Sequence, residues 1–121
     1  MNELTVYHYP RCGTCRKAVS WLEQNGIPFT TIPIVSQPPT KEQMQQFVRQ
    51  SEQETKKFFN TSGRRYRELN LKEKLPQLSE DEKLSLLASD GMLIKRPIVT
   101  DGKRVTVGFR EEEFAQVWGR E

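Results

Sequence analysis

An α/β fold is predicted by the order of three patterns along the 121-residue chain. A strand, a helix and a second strand open the chain, amphipathic helices follow, and a β-hairpin with a closing helix comes last. The length suits one domain with a modest core. We therefore expect residues 1–121 to form a single domain, with an all-helical insertion at about residues 40–90.

The opening residues predict a parallel βαβ unit. Residues 4–7 alternate as a strand, Asn25-Gly26 ends the helix that follows, and residues 29–34 form a second strand. Two strands joined by such a helix pair in parallel through a right-handed crossover. The buried face of the helix is predicted to carry Cys15, Ala18, Val19 and Leu22.

Capping-box patterns predict three helix starts in the insertion, at Thr40, Ser51 and Ser79. In each pattern a hydroxyl side chain is followed three residues later by Gln or Glu. Pro38-Pro39 separates the insertion from the βαβ unit. Residues 60–67 show no clear period, so we predict a loop or a frayed turn there.

The last third of the chain completes a thioredoxin-like arrangement. Residues 98–100 and 104–107 flank Asp101-Gly102 as a hairpin, and the glutamates at 111–113 favour the start of a final helix. In a thioredoxin-like fold a proline precedes the third strand and packs opposite the turn between the first strand and the first helix. Pro97 occupies that place, and we predict a cis bond before it.

Composition excludes several classes of protein. The chain has 19 Lys and Arg interleaved with 16 Asp and Glu, a net charge of +3 and 35% hydrophobic residues. No charge block supports direct nucleic-acid binding, and no apolar run is long enough to cross a membrane. Without an export signal, we expect a cytoplasmic monomer.

Cys12-Gly13-Thr14-Cys15 holds both cysteines of the chain. The motif lies between a predicted strand and a predicted helix, which places the first sulfur beside unpaired N–H groups and the positive end of the helix dipole. Both features stabilise a thiolate, and the thiolate is the nucleophilic form. A redox-active thiol is therefore the leading hypothesis, with Cys12 as the nucleophile.

Other interpretations of the two cysteines are weaker. Zinc sites normally need four ligands, and the one histidine, His8, is too close in sequence to complete such a site. We therefore predict no metal. A structural disulfide is disfavoured because so small a loop constrains little, and an inert buried pair is the remaining alternative.

The segments Tyr7-His8-x-Pro10-x-Cys12-Gly13-Thr14-x-Arg16 and Arg96-Pro97-Ile98-Val99 resemble the ArsC/Spx family. This family contains glutaredoxin-dependent arsenate reductases and Spx-type redox regulators of bacterial transcription. The resemblance covers essentially the whole chain. It implies either a thiol oxidoreductase without a bound cofactor, reduced by glutathione, glutaredoxin or thioredoxin, or a regulator that binds the RNA polymerase α subunit.

For a reductase, the resemblance implies that Cys12 attacks an oxyanion held by three arginines. Arg96 and Arg110 match two of them, and their guanidinium forks suit tetrahedral oxyanions. Asn60 stands where the third is expected, although Arg64 or Arg65 offers a substitute. The three glutamates after Arg110 favour a surface salt bridge as the alternative for that residue.

The chain shares features with both branches of the family, as Cys15 and Glu54 show. Glutaredoxin-dependent reductases usually have serine in place of Cys15, whereas Spx proteins carry Cys-x-x-Cys as a switch. Glu54 replaces a glycine that Spx proteins use to contact the polymerase. If Cys12 reacts first, Cys15 is close enough to resolve the adduct as a disulfide.

Arg16 and His8 are supporting candidates. Arg16, one turn into the helix, would add positive charge near Cys12, and His8 would lie near the sulfur at the strand end. A solvated helix residue and an ordinary strand-end side chain are their respective alternatives. We lean to the enzyme over the regulator.

Overall fold

The computed structural model describes residues 3–119. Its strands are β1 (Leu4–His8), β2 (Phe29–Pro33), β3 (Ile98–Thr100) and β4 (Val105–Val107). Its α-helices are α1 (Gly13–Gln24), α2 (Lys41–Ser51), α3 (Arg64–Glu68), α4 (Leu71–Lys74), α5 (Glu80–Ser89) and α6 (Glu111–Trp118). Short 3₁₀ helices cover Thr55–Phe58, Leu75–Gln77 and Gly91–Leu93. None of the helices within residues 3–119 combines the length and the apolar character needed to span a bilayer.

The four strands form one mixed sheet in the order β2-β1-β3-β4. Strand β1 pairs in parallel with β2, and β3 is antiparallel to both β1 and β4. The elements between β2 and β3 are all helical. This is the predicted α/β, thioredoxin-like fold, with a helical insertion between the βαβ unit and the terminal hairpin and helix.

Two compact units make up the chain, one of residues 3–33 with 96–119 and one of residues 34–95. The first unit contains the sheet, α1 and α6. Its core joins the buried face of α1, the inner strands and α6, through Leu4, Val6, Ala18, Leu22, Ile27, Val99, Phe114 and Trp118. As predicted, Cys15, Ala18 and Leu22 face inward from α1.

The second unit is the helical insertion. Phe58 and Phe59 are fully buried or nearly so, together with Ile94 and Leu93. Phe59 and Ile94 form an isolated antiparallel bridge, which ties the segment before α3 to the segment that follows the last 3₁₀ helix. The insertion therefore has an apolar core of its own.

Two of the three predicted capping boxes are confirmed. Thr40 caps α2 and Ser79 caps α5, each with the reciprocal hydrogen bonds of a full box. The box at Ser51 is wrong, because Ser51 is the last residue of α2 and Glu52 is the C-cap, with a φ of 60°. The Ser51 hydroxyl instead donates to the Val48 carbonyl at 2.8 Å. The next helix is a 3₁₀ turn that starts only at Thr55.

The prediction of a loop or a frayed turn at residues 60–67 is confirmed for residues 60–63 and wrong from Arg64, where α3 starts. Tyr66 is the buried residue of this helix. A helix little longer than one turn with a single inward residue produces no apolar repeat. The sequence pattern therefore could not reveal it.

Gly91→Ala should destabilise the protein. A Cβ at this buried position would lie 2.2 Å from the Ile34 carbonyl oxygen and 2.9 Å from the Val35 Cα, so backbone must move. We expect the free energy of unfolding, measured by urea denaturation, to fall by about 2 kcal/mol. Gly13→Ala is the matched control, since its Cβ would meet nothing closer than an Arg16 nitrogen at 4.0 Å. Equal stability of the two variants would contradict this account.

Candidate active site

Cys12 lies at the N-cap of α1, where the chain leaves β1 and turns into the helix. Its backbone is extended, with φ −87° and ψ 117°. Its N–H donates to the Tyr9 carbonyl at 2.9 Å, and its carbonyl accepts from the Arg16 N–H at 3.1 Å. These bonds fix a half-buried sulfur at the positive end of the helix dipole.

Cys15 faces the interior one turn along the helix. Both cysteines are free thiols, but Cys15 has no exposed surface. Its Sγ accepts a hydrogen bond from the Tyr9 N–H at 3.5 Å, and its backbone N–H and thiol donate to the Cys12 sulfur. The motif therefore pairs an accessible sulfur with a buried one that is already in contact with it.

Arg96 brings a positive charge to this pair. Tyr7 pairs with Ile98 across β1 and β3, and continuing that antiparallel register brings Arg96 opposite Tyr9. The guanidinium carbon lies 5.2 Å from the centre of the Tyr9 ring, and the guanidinium hydrogen-bonds the Cys12 sulfur. Sheet pairing thus places the arginine beside the Cys12 sulfur.

Pro97 follows Arg96 in the predicted cis conformation. The proline is buried, and its carbonyl accepts a hydrogen bond from the Gly108 N–H at 2.8 Å. That bond attaches the Arg96-Pro97 segment to the end of β4. The backbone that carries the guanidinium is therefore held between β1 and β4.

The pKa of the Cys12 thiol is lowered. Burial on its own would raise this pKa, but the hydrogen bonds from the Cys15 backbone N–H and thiol oppose it. The hydrogen bond and the positive charge of Arg96 act in the same direction. These contributions outweigh burial, and the reactive thiolate is favoured.

The pKa of Cys15 moves in the opposite direction. Burial is the largest cause, and the neighbouring Cys12 sulfur adds to it, whereas the Tyr9 N–H and the charge of Arg96 counteract it. Together they raise the pKa of Cys15 to about 12. As pH rises, Cys12 therefore loses its proton before Cys15 does, and the proton of the pair remains on the buried sulfur.

Arg16 and Lys17 line a groove of about 490 Å³ along the outer side of α1. Its lining also includes Gly13, next to Cys12, the aromatic rings of Trp21 and Phe109, and one acidic residue, Glu111. Phe114 makes edge-to-face contacts with both aromatic rings, at centroid distances of 5.5 and 4.7 Å. The structure thus places Arg16 in an open cleft beside the reactive end of the helix.

Neither Arg110 nor His8 is among the groups that act on the pKa of Cys12 or Cys15. Arg110 precedes α6, where its guanidinium pairs with Glu113 at 3.4 Å and its side chain is 78% exposed. That pair is the salt bridge named as the alternative for Arg110. His8 is half-buried on β1, in register with Pro33.

Asn60, Arg64 and Arg65 belong to the helical insertion. The Arg65 guanidinium is paired with Asp90 at 3.1 Å and with Glu68 at 3.3 Å. The Asn60 backbone N–H donates to the Leu93 carbonyl at 2.8 Å. Arg65 is thus engaged by carboxylates of its own unit, and Arg64 is exposed on α3.

Tyr9 is the site residue that the sequence analysis missed. Its carbonyl, its N–H and its ring contact Cys12, Cys15 and Arg96 respectively. Two of these contacts are made by the backbone, so any residue type would provide them. The only signal in the sequence is an aromatic side chain at the turn between the strand and the motif.

Within residues 3–119 no group of three or more His, Cys, Asp or Glu side chains is arranged to hold a metal ion.

The sequence model of the ArsC family matches residues 7–117. The chain belongs to the ArsC family. This ArsC-family protein is 61% identical over 115 residues to the protein YusI of Bacillus subtilis, covering 95% of the chain and 98% of YusI. It is also 34% identical to the global transcriptional regulator Spx 1 of Oceanobacillus iheyensis, covering 92% and 83% of the two chains.

Solved structures of the ArsC family match the same fold. An ArsC family related protein from Bacteroides fragilis superposes with a TM-score of 0.92 at 44% identity, covering 94% of this chain and 96% of that one. The structure of a possible arsenate reductase from Streptococcus mutans superposes with a TM-score of 0.85 at 44% identity, covering 94% and 98%. The resemblance stated from the sequence is confirmed.

Replacing Arg96 should raise the pKa of Cys12. Arg96→Gln removes the positive charge and weakens the hydrogen bond to the sulfur, so less thiolate is present near neutral pH. We expect the midpoint of the pH profile for iodoacetamide alkylation of Cys12, followed by mass spectrometry, to move upward. The alkylation rate below that midpoint should fall severalfold.

Arg16→Gln is the matched control for this measurement. It removes the same charge from the same unit, but Arg16 is not among the groups that lower the pKa of Cys12. Its profile should stay closer to that of the wild type. A larger shift for Arg16→Gln than for Arg96→Gln would overturn the role given to Arg96.

Proposed function

We propose that this ArsC-family protein is a thiol-dependent oxidoreductase in which Cys12 attacks an oxyanion or a disulfide and Cys15 resolves the product. The observation that carries the proposal is the inequality of the two thiols. Cys12 is half-buried with a lowered pKa, whereas Cys15 is buried with a pKa of about 12. A nucleophile and a resolving thiol require this difference.

The first step is nucleophilic attack by the Cys12 thiolate. With arsenate, a sulfur–arsenic bond forms and one arsenate oxygen leaves as water after protonation. With a disulfide, a mixed disulfide forms and the other sulfur leaves as a thiol. Arg96 stabilises the thiolate beforehand and offers N–H donors to an oxyanion beside it.

The second step uses Cys15. Once the Cys12 sulfur is bonded to substrate its negative charge is gone, so one cause of the raised pKa of Cys15 disappears. Cys15 then loses its proton and attacks the Cys12 sulfur. The Cys12–Cys15 bond forms, the bond to substrate breaks, and the two thiols supply the two electrons that reduce As(V) to As(III) or cleave the disulfide.

An external thiol must restore the reduced pair, for which we propose glutaredoxin or thioredoxin, with glutathione as a small alternative. The groove lined by Gly13 gives such a reductant access to the exposed end of the pair. Arg16 and Lys17 in that groove offer positive charge to an acidic partner. We place the reaction in the cytoplasm, where such thiols are abundant.

Arg110 is proposed as a second anion ligand with Arg96. Its present pairing with Glu113 is long and exposed, and such pairs contribute little to stability. Exchanging Glu113 for a doubly charged oxyanion therefore costs little free energy. His8 and Pro97 are proposed as supporting residues, which shape the strand end and hold Arg96.

A redox-sensing regulator resembling Spx is the second candidate. It is supported by the Cys-x-x-Cys motif and by 34% identity to an Spx regulator over 92% of the chain. In that case oxidation to the Cys12–Cys15 disulfide would control binding to the RNA polymerase α subunit. Glu54, exposed before a 3₁₀ helix where Spx proteins have glycine, weighs against it.

Arsenate-dependent NADPH oxidation, coupled through glutaredoxin, glutathione and glutathione reductase, tests the enzyme. We expect turnover by the wild type and none by Cys12→Ser. Arg110→Ala should lower kcat/KM by about 10-fold to 100-fold, the value of one charged hydrogen bond. Arg67→Ala, at an exposed arginine of α3, is the matched control and should change little.

Cys15→Ser separates the two ways of resolving the adduct. If Cys15 resolves it, this variant should turn over only as fast as external glutathione can replace the missing thiol. If Cys15→Ser turned over as fast as the wild type at every glutathione concentration, Cys15 would be dispensable. No turnover by the wild type, together with redox-dependent binding of the polymerase α C-terminal domain, would favour the regulator instead.

A further inference from the structure

A pocket of about 380 Å³ in the helical insertion is lined by lysines and uncharged polar groups. The lysines are Lys56 and Lys57, on the 3₁₀ helix of residues 55–58, and Lys95, at the end of the insertion. The polar groups belong to Asn60, Thr61 and Ser62. None of the proposed catalytic steps uses a residue of this lining. The family resemblance singled out two lining residues, Asn60 at the position of the third arginine of the reductases and Glu54 at that of the Spx glycine.

Backbone hydrogen bonds hold the two sides of the pocket together. The Asn60 N–H donates to the Leu93 carbonyl at 2.8 Å, and the Lys95 N–H donates to the Phe58 carbonyl at 2.7 Å. Phe58 and Phe59 are buried beneath this junction. These hydrogen bonds hold the segment of Lys56 and Lys57 next to the segment of Lys95, although the two segments are far apart in the sequence.

The turn after Phe59 is equally well defined. The Gly63 N–H donates to the Asn60 carbonyl at 3.1 Å. A Cβ on Gly63 would lie 2.8 Å from the Asn60 side-chain nitrogen, so the carboxamide packs directly against this glycine. Asn60 is therefore positioned by its neighbours before any ligand binds.

The charge of the pocket is unbalanced. Lys56, Lys57 and Lys95 take part in none of the ion pairs found among residues 3–119. Glu54 is the one acidic residue in the lining. Three lysines line one concave surface, where their positive charges repel each other, and an anion would relieve that repulsion.

From these observations we propose that the pocket binds a tetrahedral oxyanion group, carried as a phosphate monoester on a small molecule. The lysines supply charge, and the Asn60 amide and the two hydroxyls supply directed donors to phosphate oxygens. The volume lies within the range of small-molecule sites, about 300–1,000 Å³, which leaves room for the part that carries the phosphate. This site is separate from the proposed function, since it uses neither cysteine nor Arg96.

Backbone amide NMR titrations of the reduced full-length protein test the site. The probes are glycerol 3-phosphate and inorganic phosphate, added at constant ionic strength balanced with sodium chloride. We expect saturable shifts at residues 54–62 and 95, with tighter binding of the monoester than of the free ion. Lys56→Gln combined with Lys57→Gln should weaken binding at least tenfold.

Two further variants make the test specific. Lys72→Gln combined with Lys74→Gln removes the same charge from exposed positions of α4 and should weaken binding less than twofold. Asn60→Asp keeps the side-chain size but replaces donors with a negative charge, so binding should fall at least tenfold.

Four outcomes would overturn the proposal. The first three concern the phosphate titrations: no saturable shift at residues 54–62, equal weakening of binding by the two double lysine variants, or shifts confined to residues 12–16 and 96–97. The fourth is tighter binding of a single-stranded oligonucleotide, titrated in the same way, than of glycerol 3-phosphate. Loss of oxidoreductase activity in Cys12→Ser would leave phosphate binding intact. The two proposals therefore fail separately.

Discussion

The site depends on the stabilisation of one negative charge, on the Cys12 sulfur, by groups that the fold places around it. The helix N-terminus, the donors of Cys15 and the guanidinium of Arg96 all face this atom. Burial opposes them, since a charge is less stable away from water. Because the sulfur is only half-buried, its thiolate is favoured and it remains accessible to a substrate.

The negative charge on Cys12 also makes the pKa values of the two cysteines differ. Two thiolates in contact would repel each other, so ionising Cys12 keeps the proton on Cys15. In the proposed mechanism, reaction of Cys12 removes that repulsion at the moment when a second nucleophile is needed. The Cys-x-x-Cys motif would thus control the order of the two proposed steps, and the same control would suit an enzyme or a sensor of oxidation.

Sequence patterns predicted most of this arrangement. Period-two and helical repeats, glycine stops and two capping boxes predicted the order of elements, and the Cys-x-x-Cys motif predicted that the two thiols lie at the turn between strand and helix. Contacts made by backbone groups, such as that of the Tyr9 N–H, could not be predicted because they do not depend on residue type. Helix α3 could not be predicted because it is too short to show an apolar repeat. The Ser51 pattern failed because a hydroxyl near a helix end can bond backward as well as forward.

Trapping of the first covalent adduct tests the inequality of the thiols most directly. Each single-cysteine variant is incubated with oxidised glutathione near neutral pH and followed by intact-protein mass spectrometry. Cys15→Ser should accumulate a mixed disulfide on Cys12, Cys12→Ser should remain unmodified over the same time, and the wild type should proceed to the Cys12–Cys15 disulfide. Equal rates of modification in the two variants would contradict the assignment of Cys12 as nucleophile and Cys15 as resolving thiol.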